Sequence, residues 1–116
     1  MDELGKLDGF VVAALIDSHE GLALMVQGDA FDLKLAARGQ TEVLRAKRRV
    51  AHQLKLDDRI EEILITMQHQ YHLLRPLKTN AEVFIYLVLE RHLANLAWAR
   101  FELRVFEQSL DLSDES

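Results

Sequence analysis

GFVVAALIDSHEGLALMVQGD, residues 9–29, reads as a strand, a tight turn and a returning strand. GFVVAALID (9–17) is a continuous apolar run with β-branched members, bounded by Gly9 and Asp17. A strand buried on both faces has that pattern. SHEG (18–21) supplies turn residues, with Gly21 free to take positive φ, and LALMVQ (22–27) comes back as the partner. Gly28 and Asp29 break the pairing.

From Asp29 or Asp32 the period changes from two to that of a helix. Either aspartate can cap it, because a carboxylate accepts an exposed N–H of the first turn. Val43, Val50 and Leu54 with Ala36 fall on one side, flanked by Leu33, Leu44 and Ala51, and the helix should run to about Leu54. IEEILITM (60–67) alternates around Ile63, Ile65 and Met67, and YHLLRPL (71–77) follows a QHQ turn. Pro76 cannot donate to a ladder, so it belongs at the end of that strand. VFIYLVL (83–89) is a second doubly buried strand. From His92 or Asn95 a last helix, NLAWARFELRVFEQSL, runs to the acidic tail DLSDES (111–116). Short turns between successive strands imply an antiparallel sheet, and two long helices must cover it. The fold class is α+β, an α/β sandwich in the order β-β-α-β-β-β-α.

With 116 residues the chain is expected to be a single domain, 1–116, with a short lead at 1–8. Its 49% hydrophobic and 28% charged residues fit a globular protein rather than a disordered one. The absence of cysteine removes disulfides, thiolate zinc sites and a cysteine nucleophile. MDELGKLDGF carries acidic residues where a secretory signal needs cations, and no stretch approaches the roughly 20 apolar residues of a membrane span. A cytoplasmic location is the expectation.

The chain resembles the Roadblock/dynein light-chain family. The resemblance rests on G-x-V-x-A-x-L-I-D at 9–17, G-L at 21–22, paired alanines at 36–37, LLRPL at 73–77 and N-L-x-x-A-R at 95–100, in order along nearly the whole chain. It implies a five-stranded antiparallel sheet with the long helix on one face and the C-terminal helix on the other, and the strand at 60–67 at a sheet edge. It also implies a non-catalytic homodimer that scaffolds or regulates a Ras-like small GTPase, with stimulation of hydrolysis in some bacterial members. Two departures stand out. A helix before the first strand is common in the family, and MDELGKLD supplies no more than a turn of one. Trp98 stands where small residues are usual.

TEVLRAKRRVAHQLK (41–55) holds five cations against one carboxylate in a chain of net charge −5. At about 100° per residue, Arg38, Arg45 and Arg49 share one narrow sector, with Lys34 and His52 beside them, opposite Ala36, Val43, Val50 and Leu54. This stripe is either a solvated helix face or a binding surface. Nucleic acid is disfavoured, because its binders normally have a pI above about 9 and this chain has one near 5.5. A membrane-surface helix wants large apolar residues opposite the cations, and here they are alanine and valine. A protein with an acidic patch fits best, making Arg38, Arg45, Arg48 and Arg49 the candidate partner-binding residues.

Gln40 and Lys47 interrupt the apolar side of the same helix. Either Lys47 snorkels to the edge or this side meets the same helix of a second copy across a two-fold axis, with Gly39 permitting close approach. With Ile63, Leu64 and Ile65 of the edge strand, Gln40 and Lys47 form the candidate dimer interface.

His69 and His72 lie three apart on a hairpin, which points them to opposite faces, and no metal set is completed. Glu61 and Glu62 are adjacent and point apart. No nucleophile elbow, dinucleotide fingerprint or Walker loop is present, so no catalytic residue and no cofactor is assigned. Met25, Met67 and Trp98 read as packing residues. Two functions remain: a homodimeric regulator of a Ras-like GTPase, or a profilin-like sensor with a pocket between the sheet and the C-terminal helix.

Overall fold

The structure, a computed structural model, describes residues 1–29 and 32–114, with side chains described up to residue 110. Strand β1 (Phe10–Asp17) pairs antiparallel with β2 (Leu22–Gly28), and helix α1 (Leu33–Gln53) follows. Strands β3 (Ile63–Thr66), β4 (Gln70–Pro76) and β5 (Val83–Glu90) come next, then helix α2 (Leu96–Asp114). The five strands form one antiparallel sheet in the order β2-β1-β5-β4-β3, so β2 and β3 are its edges. The α+β sandwich expected from the sequence is the fold observed. Pro76 is the last residue of β4, as its missing donor requires.

Strand alternation sorts the core into two layers. Val12, Ala14, Ile16, Leu74, Phe84, Tyr86 and Val88 face α1, and Ala13, Leu15, Leu73, Ile85, Leu87 and Leu89 face α2. β1 and β5 contribute to both, which explains their continuous apolar runs. Gly21 takes φ +70° in the β1–β2 turn, where its N–H donates to Asp17 O at 2.8 Å. Gly28 ends β2 at φ +90°, and a Cβ there would stand 2.7 Å from Val11 O, so only glycine fits.

Of the two candidate caps for α1, Asp32 is used: its Oδ1 accepts from Leu35 N at 3.1 Å. Asn95 caps α2, accepting from Trp98 N at 3.0 Å. The backbone of α2 continues helical through Asp114, past the point where the acidic tail was expected to begin; residues 115–116 and the tail's side chains lie outside the described residues. The lead is a single 3-10 turn, Leu4–Lys6; Leu4 and the following Leu7 are buried against the α2 layer.

Several packing expectations are corrected. The face of α1 on the sheet is Ala37, Thr41 and Leu44, whereas Val43, Val50 and Leu54 are 37, 42 and 65% exposed. A polar residue can join the buried stripe because Thr41 Oγ1 donates to Ala37 O at 2.7 Å within the helix. β3 is four residues long rather than the eight of IEEILITM. Met25, Met67 and Trp98 are exposed, the first because β2 is an edge and the last because α2 points it away from the sheet.

Candidate partner-binding surface

Around α1 the residues divide into three sectors. The buried stripe of Ala37, Thr41 and Leu44 meets the sheet. On one flank lie the cations, on the other Ala36, Gln40, Val43, Ala46, Lys47 and Val50. The helix is apolar in two directions, and only one is covered by its own chain.

The cationic flank is not uniform. Arg45 Nη2 donates to Ser18 O at 2.6 Å and His19 O at 3.1 Å, and its Nη1 pairs with Glu42 at 3.3 Å. Arg48 Nη2 donates to Ala81 O at 2.8 Å. These two arginines clamp α1 to the β1–β2 and β4–β5 turns, at one end of the sheet. Ser18 joins the same corner, its Oγ donating to Glu82 O at 2.6 Å. Arg38 and Arg49 project as exposed side chains. Sequence spacing places Arg38, Arg45 and Arg49 in the outer sector but gives no sign that Arg45 and Arg48 reach the turns.

On the apolar flank, Val43, Ala46, Lys47 and Val50 with Ile63 of β3 enclose an open groove of about 360 Å³. Lys47 is exposed, and a Cβ on Gly39 would meet nothing within 4 Å. Ile63 and Ile65 are half-buried under α1, and Leu64 points to the α2 layer. Of the two groups expected to meet a second copy, Lys47 and Ile63 border the same groove, whereas Gln40, Leu64 and Ile65 are not part of its lining.

Gln40 also belongs to a polar chain beneath α1. Tyr86 Oη and His72 Nδ1 are 2.9 Å apart, and His72 Nε2 lies 2.9 Å from Gln70 Oε1. One neutral tautomer satisfies both contacts: Tyr86 donates to Nδ1, and Nε2–H donates to Gln70. Burial lowers the His72 pKa, as it should for a ring that gains no counter-charge. Burial pushes the Tyr86 hydroxyl up to about 12, opposed by its hydrogen bond with Gln40. Gln40 Oε1 is buried without a hydrogen-bond partner among the described residues.

Across the sheet lies a feature the sequence reading missed. Arg75 Nε donates to Glu107 Oε1 at 3.0 Å, and Arg75 Nη1 is 3.7 Å from Glu62 Oε1. Arg100 Nε pairs with Glu62 Oε2 at 2.8 Å, and Glu107 Oε2 accepts from Lys78 N at 2.8 Å. This network fastens α2 to β4 and to the residue just before β3. Two signals could have found it: Arg75 interrupts the inward leucines of LLRPL, and Glu107 stands one turn after Leu103 on the inner face of α2.

Among solved structures, the chain is similar to a Roadblock/LC7 domain from Streptomyces avermitilis, with a TM-score of 0.85 and 13% identity, over 100% of this chain and 95% of that one. It is similar to MglB of Myxococcus xanthus, with a TM-score of 0.84 and 14% identity, over 97% and 89% of the two chains. The gliding protein MglB of Thermus thermophilus gives 0.80 at 17% identity, over 99% and 86%. No protein-family model and no curated protein matches the chain by sequence. The fold is therefore that of Roadblock/LC7 domains, shared with the MglB proteins.

Proposed function

We propose that this chain is a non-catalytic Roadblock-type scaffold that forms a homodimer and binds and regulates a Ras-like small GTPase in the cytoplasm. One observation carries the reading: the apolar flank of α1 and the unpaired edge β3 border a single open groove. A second copy related by a two-fold axis would bury both at once, joining two sheets through β3 and laying the two α1 helices side by side. The groove's apolar wall, Val43, Ala46, Val50 and Ile63, suits such a contact, with Lys47 beside it, and Gln40, Leu64 and Ile65 would join the interface through α1 and the paired β3 edge. In that dimer the cationic flanks stay outside, with Arg38 and Arg49 as the reaching residues and Arg45 and Arg48 as their base. The Ras-like partner comes from the family resemblance, and an acidic GTPase surface suits these cations.

The sensor reading loses ground on packing. The layer between sheet and α2, where a ligand would sit, is filled by Leu73, Ile85, Leu87, Ala99 and Leu103.

Sedimentation of wild type and of Val43→Glu/Val50→Glu tests the dimer. Wild type should sediment as a dimer at micromolar concentration and the variant as a folded monomer, because both positions are exposed in the subunit. A monomeric wild type would sink the reading. Titration with a Ras-like GTPase in its GDP and GTP-analogue forms tests the partner, and binding by neither form overturns it.

A further inference from the structure

The outward side of α2 carries a second apolar row, across the sheet from α1. Trp98 and Val105 are 54 and 44% exposed, and both lie on the helix side opposite Ala99 and Leu103. The Trp98 ring stacks on Phe101, itself exposed, with centroids 5.2 Å apart at 23°. Trp98, Glu102, Val105 and Ser109 follow the four-three-four spacing of one helix stripe, the repeat into which another helix packs. Beside that stripe, between the 3-10 turn at Leu4–Lys6 and α2, lies a cleft of about 290 Å³. Leu4, Val105 and Phe106 form its apolar walls, and Asp2, Glu3 and Glu102 its rim. Met1 and Ser109 complete the lining, which holds no lysine, arginine or histidine side chain. Glu3 is partly answered by Lys6 at 3.1 Å; Asp2 and Glu102 have no such partner among the described residues. Arg104 lies on the other flank of the ridge.

We propose that this stripe and cleft form a second docking surface, whose occupant is a cationic amphipathic helix of a protein partner. The apolar row supplies the contact area, and the carboxylate rim selects cations flanking the partner's apolar face, as complementary charge does at interfaces. The same rim repels anionic headgroups, which argues against a lipid surface. The proposal does not rest on the GTPase reading, because it uses no residue of α1 or β3.

Trp98 is the only tryptophan of the chain and sits in the stripe, so its emission reports occupancy directly. The probe is a synthetic helix of leucine and lysine with leucines at i, i+3 and i+4; its control carries glutamate at every lysine. The lysine helix should move Trp98 emission to shorter wavelength, with affinity that falls as salt rises, and the glutamate helix should not. Val105→Asp separates docking from general attraction to an acidic chain, since it adds negative charge while removing apolar contact. Docking predicts at least about tenfold weaker binding, roughly the loss of one well-placed contact, and general attraction predicts none. Glu102→Lys should also weaken the lysine helix, and circular dichroism verifies that both variants are folded. Equal responses to the two helices, no response to either, undiminished binding by Val105→Asp or Glu102→Lys, or a larger Trp98 shift with phosphatidylserine vesicles would overturn the proposal.

Discussion

The two helices cover the same sheet and are held to it in opposite ways. α2 lays Ala99 and Leu103 on an apolar layer and is then fixed by buried ions, with Glu107 and Arg75 in contact at 3.0 Å. α1 rests on a narrow stripe of Ala37, Thr41 and Leu44 and is tied down at its flank by Arg45 and Arg48 reaching backbone carbonyls. A helix whose stripe is narrow keeps its other sectors for something else. That is why α1 keeps an apolar flank, beside an unpaired strand edge, that its own chain leaves open.

The contrast fails if breaking the polar contact on each helix's packed face costs the same. Glu107→Ala leaves Arg75, whose side chain is only 10% exposed, with Glu62 at 3.7 Å as its remaining partner. It also strips an acceptor from Lys78 N. Breaking a buried pair from one side costs about 3 kcal/mol or more. Thr41→Val on α1 removes a hydroxyl whose acceptor, Ala37 O, keeps its place in the helix, and should cost about 1 kcal/mol or less. Urea denaturation of the two variants measures both. Arg75→Met/Glu107→Leu should recover much of the loss, since no uncompensated charge remains.

Within the cationic flank the same test divides anchors from projecting residues. Arg45→Glu loses the bonds to Ser18 O and His19 O and should cost about 1–2 kcal/mol. Arg49→Glu should stay within about 0.5 kcal/mol of wild type, as exposed substitutions do. Both should slow association with an acidic partner, because on-rates follow the field of the surface rather than the stability of the helix. Equal thermal shifts would mean that the carbonyl clamps carry no weight.

These distinctions mark where the sequence could be read and where it could not. Strand positions were legible because doubly buried β1 and β5 have no polar alternation to confuse, and Gly21 and Pro76 punctuate their neighbours. The sheet-facing side of α1 was misjudged because periodicity reports an apolar face without saying what covers it. Val43 and Val50 satisfy the helical pattern as well as Ala37 and Leu44 do, and Thr41 looked polar although its hydroxyl is answered inside the helix. The Arg75–Glu107 pair is separated by 32 residues, so only the assembled topology brings it together. Met25 and Met67 read as core, and Trp98 as a packing residue, because composition cannot distinguish a central element from an edge or an outer ridge.

The polar chain beneath α1 has a pH signature. His72 binds its proton less readily in the folded state than its ordinary value of 6.5, because burial disfavours the imidazolium. Below that pH the unfolded chain holds more protons than the folded one. The stability is therefore full above pH about 6.5 and declines as pH falls, by at most about 1.4 kcal/mol per unit from this one group. Denaturation midpoints at pH 7.5 and 5.5 for wild type and His72→Gln should show a smaller drop in the variant. An equal drop would assign the acid sensitivity to carboxylates elsewhere.

The smallest effect belongs to the end of α1. Lys55 takes φ 59°, with its N–H donating to His52 O at 3.0 Å and Leu56 N donating to Ala51 O at 3.0 Å. That pair of bonds is the Schellman closure, which usually places glycine where Lys55 stands. A side chain in the left-handed region costs about 1–2 kcal/mol. Glycine relieves that cost, but it gives back about 0.5–1 kcal/mol in freedom of the unfolded chain and about 0.3 kcal/mol, the low end of the range for an exposed side chain, from the lost cation at a helix C-terminus. The balance favours Lys55→Gly by about 0.5 kcal/mol, seen as a rise of a few degrees in melting temperature. Because α1 is held by its stripe and its two clamps rather than by its end, amide exchange should slow locally over residues 50–54 while the α2 amides follow only the global change. Equal slowing in both helices would show that the end of α1 opens only when the whole subunit unfolds, and the picture of a lightly held α1 would have to be given up.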